Sequence, residues 1–322
     1  MEKILSIILF ALVLSATGFS QTPSAADLLK DISAQGSLWS PDKPFLLQAD
    51  FATRLHTTET GHVTQKWSSK ELWQEETTLA DFHQITVRKG DDIYTARNLK
   101  YTPLPIHEIH EVFGAPLVPA DKWKTGKVKA KEHGTQECLE LHSTSNGDWK
   151  REICVSSDTR QIISDETIAL AETRRREFSD YQPFLSSSIP RTLKLTINNV
   201  PVLTVVVTSL EQRSYAANEF APPANAIVRR TCANMVHPKV IKAPDPVYPP
   251  SEGEKHIGGT SIVSVTVLPD GSVTDVYLIG SSYHDMDEVT QQIVKTWKFK
   301  PAMCGTEAVT VDIQVQVNFR TR

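Results

Sequence analysis

Apolar and polar residues alternate along most of this chain, and only short stretches break the pattern. Phe45, Leu47, Ala49, Phe51, Thr53 and Leu55 form one face of a predicted strand, and Gly61 follows as a turn. Residues 62–68, 71–77, 82–88 and 92–97 continue as short strand-like segments, divided by polar breaks such as Lys89-Gly90-Asp91. Strands are expected again over 127–133, 136–142, 149–155, 162–169, 191–197 and 202–210. Before residue 223, helical spacing is confined to 25–33 and to 106–113. Such a meander of antiparallel strands must curl to bury one face, and a helix usually plugs it. The run 172–177 (ETRRRE) reads as a solvated turn or edge.

The last segment orders as strand, turn, strand, helix, strand. Residues 261–268 and 273–279 are β-branched runs joined by Pro269-Asp270-Gly271-Ser272, a turn with glycine where positive φ is wanted. Asp285 followed by Glu288 predicts a capping-box helix start, and Val289, Ile293 and Trp297 give that helix an apolar face. Phe299, Pro301 and Gly305 end it. Val309, Val311, Ile313, Val315, Val317 and Phe319 then alternate with Thr310, Asp312, Gln314, Gln316 and Asn318, which predicts a strand with one buried and one wet face. The helix lets the second and third strands lie parallel, with the first antiparallel between them. The final strand is then a sheet edge, either capped within the protein or open to a peptide added as a further strand.

These residues resemble a known family. Pro246-Val247-Tyr248-Pro249, Ile257-Gly258-Gly259, Leu268-Pro269-Asp270-Gly271-Ser272-Val273, Trp297-Lys298-Phe299-Lys300-Pro301-Ala302 and the closing strand look like the C-terminal domain of TonB, over residues 236–322. The resemblance implies a periplasmic domain that grips a protein segment of an outer-membrane receptor along its last strand. By position, the contact surface would be Tyr248 and Pro249 with Val309, Val311, Ile313, Val315, Val317 and Phe319. A homodimer paired through the same strand is a further expectation. Tyr248 and Trp297 are read first as packing residues.

Residues 25–223 resemble the LolA/LppX-like lipoprotein-carrier superfamily in strand order, in Trp67 and Trp73, in Asp91-Asp92-Ile93-Tyr94 and in the Phe220-Ala221-Pro222-Pro223 ending. That resemblance implies a curved half-barrel closed by helices, with an apolar ligand such as an acyl chain on its concave face; a filled core without a ligand is the alternative. The fold class expected overall is α+β, an N-terminal antiparallel curved sheet with helices followed by a small β-β-α-β domain. The boundaries are 25–223, a linker at 224–245 rich in Pro, Ala and Asn, and 246–322.

Composition narrows the setting. Residues 1–20 carry Lys3, an apolar run over 4–13, and small residues at Gly18 and Ser20, which reads as a signal peptide cleaved near Ser20-Gln21. The run is shorter than the ~20 residues of a spanning helix. The alternative is an uncleaved membrane anchor. A net charge of −4 without a basic cluster argues against nucleic acid. Four cysteines in an exported chain read as two disulfides, for which sequence allows three pairings. Cys138 and Cys154 flank a hairpin-like stretch centred on Ser145-Asn146-Gly147, while Cys232 and Cys304 would pin the segment before the C-terminal domain to the loop after its helix.

Chemistry is sparse. His107-Glu108-Ile109-His110-Glu111 is the one dense group of candidate ligands, and it lacks the four-residue histidine spacing of zinc proteases. No metal, cofactor or catalytic residue is expected, and the chain is read as a non-enzymatic protein of the cell envelope. Its competitors are a membrane-anchored TonB-type energy transducer and a periplasmic carrier or sensor of lipid or lipoprotein. The chain shows neither the long proline-rich spacer nor the N-terminal membrane helix of TonB, a departure that bears on force transmission rather than on peptide recognition. Intact mass spectrometry of soluble and membrane fractions should find a soluble species beginning at Gln21 and lighter by four hydrogens. A full-length species confined to the membrane would instead establish the anchored form.

Overall fold

The computed structural model describes residues 23–35, 43–54, 58–99, 102–113, 123–144, 149–168, 172–230, 232, 234–250, 258–280 and 283–320. Within them, β1 (Phe45–Thr53), β2 (Glu59–Ser69), β3 (Leu72–Leu79), β4 (Phe82–Lys89) and β5 (Asp92–Arg97) form an antiparallel meander. A second meander runs through β6 (Trp123–Lys131), β7 (Gln136–Ser143), β8 (Lys150–Ser156), β9 (Ile162–Ile168), β10 (Thr173–Phe184), β11 (Ser187–Ile197) and β12 (Val200–Gln212). Pairing of β1 with β12 joins the two, and β13 (Ile227–Arg230) adds to β5, giving one curved, open sheet of 13 strands.

The alternation read from sequence has its physical counterpart in β1, where Phe45, Leu47, Ala49 and Phe51 are all at most 3% exposed. A register shift opposite Gln48 and Ala49 lets Val205 and Val207 of β12 face inward on one side of it and Leu210 on the other. Gly61 lies inside β2 rather than in a turn. It stands opposite Phe51, whose ring fills the space a Cβ would need, so the strand tolerates only glycine there. Leu55 lies outside the described residues.

Two helices dock on the inner face. α1 (Ala25–Ala34) starts at Ser24, whose hydroxyl oxygen accepts a hydrogen bond from the Asp27 amide. α2 spans Leu104–Phe113. Leu28 and Ile32 of α1 and Ile106, Ile109 and Val112 of α2 pack with Phe45, Leu47, Leu139, Leu141, Ile153 and Leu195 in a single apolar cluster. Each such large side chain contributes roughly 1.5–3 kcal/mol on burial.

The charge run 172–177 departs from its expected role. It opens β10, a strand the pattern of apolar residues does not signal. Arg176 pairs across the sheet with Asp165 of β9, and Arg151 of β8 reaches the same carboxylate with Nε and Nη2 at 2.7 and 2.9 Å. Arg174 pairs with the buried Glu108 of α2. Arginine stems and ion pairs thus occupy inward positions that apolar residues hold elsewhere, helped by Arg151 over the Trp123 ring and Arg176 over Phe178.

The C-terminal region contains β14 (Met235–Val236), β15 (Lys239–Lys242), β16 (Gly259–Val267), β17 (Val273–Gly280), α3 (His284–Val294), β18 (Lys298–Lys300), β19 (Ala302–Cys304), β20 (Glu307–Val309) and β21 (Val311–Phe319). β16 lies between β17 and β21 and is antiparallel to both. Val263, Val265 and Val267 of β16, Met286 and Val294 of α3, Phe299, and Val315, Val317 and Phe319 of β21 form its core. The capping box expected from Asp285 and Glu288 does not form: Tyr283 is the N-cap and offers no side-chain bond, which places Asp285 in the first turn. The most deeply buried helix face is Met286, Thr290 and Val294, with Val289, Ile293 and Trp297 half-buried beside it.

The segment 224–245, read as a connector without period, is ordered by pairing on both sides. β13 joins the large sheet, whereas β14 pairs with β19 and β15 with β18 of the C-terminal region. Disulfides join Cys138 to Cys154, which stand directly opposite on β7 and β8, and Cys232 to Cys304. The loop at Ser145-Asn146-Gly147 lies outside the described residues.

Burial opposes ionisation of Asp165, but hydrogen bonds and attraction from Arg151 and Arg176 outweigh it and hold the carboxyl below the usual carboxylate range. Asp165→Asn should therefore destabilise the fold by about 3–5 kcal/mol, because two arginines lose their counter-charge inside the sheet. Since the folded-state value is lowered, the contribution is complete above pH ~4 and is lost as pH falls through the folded value. The difference in unfolding free energy between wild type and variant, followed by urea titration, should be largest at neutral pH and shrink in acid. A variant within about 0.5 kcal/mol of wild type at pH 7 would show that the triad contributes nothing net.

Candidate protein-docking edge

The terminal strand β21 pairs on one side with β16, and no described strand pairs with its other side. Its burial alternates: Val315, Val317 and Phe319 face the core, Val311 and Ile313 are half-buried, and Asp312, Gln314, Gln316 and Asn318 stand on the wet face. The open edge consists of main-chain N–H and C=O groups between those two faces, so it can accept an extended chain without disturbing the core.

The sequence-derived contact residues distribute unevenly around this edge. Val309 belongs to β20, separated from β21 at Thr310; it is buried and pairs with Ala302. Tyr248 packs edge-to-face on Phe319, with ring centroids 5.7 Å apart, and Pro249 is buried beside it. Tyr248 thus supports the end of β21. The side chains of Val315, Val317 and Phe319 are likewise committed to the core. The exposed side chains along this part of the edge are therefore Gln314, Gln316 and Asn318, which the apolar alternation did not single out. Asn318 is held in place, accepting hydrogen bonds from Thr260 Oγ1 at 2.8 Å and Gln316 Nε2 at 3.1 Å.

The first residues of β21 are tied to the large sheet. Arg229 of β13 grips Asp312 through Nε at 2.7 Å and Nη2 at 3.1 Å, and Thr266 Oγ1 donates to the same carboxylate at 2.7 Å. Arg230 bridges Asp92 of β5 at 2.7 Å and Glu307 of β20 at 2.6 Å. A hydrogen bond from Arg230 is the main reason the Asp92 carboxyl sits below its ordinary range. Arg97 of β5 meets Asp275 of β17 at 2.6 Å, each side chain only 11% exposed. The His107 ring stacks on Tyr277 and hydrogen-bonds its hydroxyl, and burial pushes the Tyr277 phenol up. Arginines on β5 and β13 thus meet acids on β17, β20 and β21, and His107 of α2 meets the Tyr277 phenol beside them. Sequence reading missed this junction, because its members are scattered over more than 200 positions and only Val228-Arg229-Arg230 stands out as a local signal.

His107 is therefore occupied by Tyr277 and Glu108 by Arg174, and the side chains of His110 and Glu111 lie outside the described residues. Among the described residues, the one grouping with metal-ligand spacing is Cys138, Glu152 and Cys154, whose two sulfurs are bonded to each other. None of the described helices is long and apolar enough to cross a membrane.

Together these features define a β-rich protein with an exposed terminal strand edge on a small three-stranded sheet. Residues 244–321 match the family described as Gram-negative bacterial TonB protein C-terminal. No curated protein matches the chain. Solved structures similar to it include a LolA superfamily protein from Nitrosomonas europaea, at 10% identity and TM-score 0.40, covering 62% of this chain and 98% of that one. A DUF1329 family protein from Desulfovibrio piger has 11% identity and TM-score 0.41, over 61% of this chain and 95% of that one. The Pseudomonas aeruginosa MucA/MucB complex aligns at 10% identity and TM-score 0.29, over 91% and 93%. At these scores the neighbours bear on neither ligand nor partner.

The small sheet depends on the turn at Gly271. That residue has φ +76°, a Cβ there would lie 1.9 Å from the Phe299 carbonyl oxygen, and its own carbonyl accepts the Phe299 N–H at 2.9 Å. Gly271→Ala should cost at least about 2 kcal/mol, from left-handed strain and from pushing β18 away. Chemical denaturation would measure it; a loss under about 0.5 kcal/mol would mean the turn and β18 are not coupled.

Proposed function

We propose that this protein is an exported, non-enzymatic binding protein of the Gram-negative envelope that takes an extended protein segment as an added strand along β21. The observation that carries the reading is the outer edge of β21, nine residues long and paired with no described strand, at the end of a region matching the TonB C-terminal family. Main-chain hydrogen bonds would supply most of the attraction, and Gln314, Gln316 and Asn318 would choose among segments by polar contacts on the wet face. A segment of an outer-membrane receptor is the partner this family match favours. The edge is presented ready-made, because its inner face is packed and its first residues are clamped by Arg229, so little ordering cost falls on the protein. An apolar ligand on the large sheet gains less support, since Leu28, Ile32, Ile106, Ile109 and Val112 occupy the inner face there.

Peptides from periplasm-facing segments of outer-membrane receptors, titrated into the whole chain, should slow amide hydrogen exchange along β21. Gln314→Lys with Gln316→Lys keeps every ladder donor but charges the edge, and should weaken the peptide by about tenfold or more. Gln316→Pro should weaken it further if that N–H points outward. Binding at wild-type strength in the double-lysine variant would remove β21 as the docking edge. Dimerisation that disappears in the same variant would mark the edge as a self-pairing surface instead.

A further inference from the structure

β15 and β18 form a two-stranded ribbon with the register Lys239 to Lys300, Val240 to Phe299 and Lys242 to Lys298. Phe299 is 4% exposed and points into the small core, so Lys298 and Lys300 on either side of it stand on the opposite, solvent face. Directly opposed residues share a face, which places Lys239 and Lys242 on that same side. Four lysines therefore form a square, each facing another across the ribbon at a Cβ separation of about 5 Å, an arrangement that destabilises a free ribbon. None of the four is in an ion pair among the described residues; Asp270 in the adjoining turn is hydrogen-bonded by Ser272 and attracts Lys298 without an ion-pair contact. This concentration of charge occurs in a chain whose net charge is −4.

The segment that carries two of these lysines also exposes apolar side chains. Val236, Ile241 and Val247, before, within and after β15, are 53, 71 and 79% exposed, while Val240, 52% exposed, stands opposite Phe299 on the other face of the ribbon. Ile241 sits at the register shift between Val240 and Lys242, with its side chain released to solvent. Lysines on a short edge strand can be explained as guards against unwanted pairing. Guarding does not call for branched apolar side chains exposed along the same segment, whereas contact with lipid headgroups uses both.

We propose that the outer face of the β15–β18 ribbon docks on an anionic phospholipid surface, with Lys239, Lys242, Lys298 and Lys300 meeting headgroup phosphates and Ile241 and Val247 entering the boundary beneath them. This rests on charge complementarity and on the exposure of Ile241 and Val247 next to β15 along the chain, and holds whether or not β21 takes a peptide. An acidic protein would satisfy the lysines but leave Ile241 and Val247 unused.

The test is co-sedimentation of the exported protein, both disulfides intact, with vesicles of phosphatidylethanolamine and phosphatidylglycerol and with vesicles of phosphatidylcholine. Binding should require phosphatidylglycerol and fall with salt. Each lysine should account for about a 5-fold change in partitioning, so Lys298→Gln with Lys300→Gln should bind roughly 30-fold more weakly. The same variant should be no less stable than wild type, since it relieves opposed like charges. Ile241→Ser should weaken vesicle binding by about tenfold without changing the melting temperature. All variants share one N-terminus, so any membrane affinity of that segment cancels in the comparison. Equal binding to both vesicle types, or wild-type binding by the lysine variant, overturns the proposal. Unchanged binding by Ile241→Ser, together with displacement of vesicles by polyglutamate, would identify an acidic polypeptide as the occupant and overturn the lipid.

Discussion

The pairing of β1 with β12 is the contact on which the large sheet depends. The two strands are separated by some 150 positions, and without their ladder the two meanders would be separate sheets, each with an additional open edge and half of an apolar face. The register shift at Gln48 and Ala49 shows how tightly this contact is specified: with side chains alternating every residue, an unbroken ladder would turn either Val205 and Val207 or Leu210 toward water. Once the ladder is made, one continuous inner surface exists, and α1 and α2 have a place to bury Leu28, Ile32, Ile106 and Ile109.

Where that inner surface runs out of apolar residues, ion pairs replace them. Asp165 with Arg151 and Arg176, and Glu108 with Arg174, hold β8, β9, β10 and α2 together by directional bonds. Breaking such a cluster is costly because removing one member leaves the others desolvated. The charge run at 172–177 is thus a structural device that ties the helix to the sheet.

The C-terminal sheet is joined to the large one by a third kind of contact, charge complementarity at a junction. β13 is the pivot: its backbone extends the large sheet, while Arg229 and Arg230 reach acids on β21 and β20. The segment continues into β14 and β15, which pair with β19 and β18, and Cys232 is bonded to Cys304. A stretch with no hydrophobic period therefore determines how the open strand edge and the lysine ribbon are carried.

The sequence alone determined most strand and helix positions, because alternation in β1, β4 and β21 and helical spacing in α1 and α2 are local properties of the chain. It also pointed to both disulfides, the glycine turn at 271 and the strand that forms the open edge. The tertiary structure alone decided what depends on distant partners. It made β10 a strand through ion pairs with residues far away, turned 224–245 from a connector into paired strands, and moved Val309 off the edge. It also engaged His107 with Tyr277 and gathered lysines 60 positions apart into one square. Local periodicity reports which way a side chain faces along its own strand; it carries no information about which distant charge or strand stands opposite, and that is what the fold supplies.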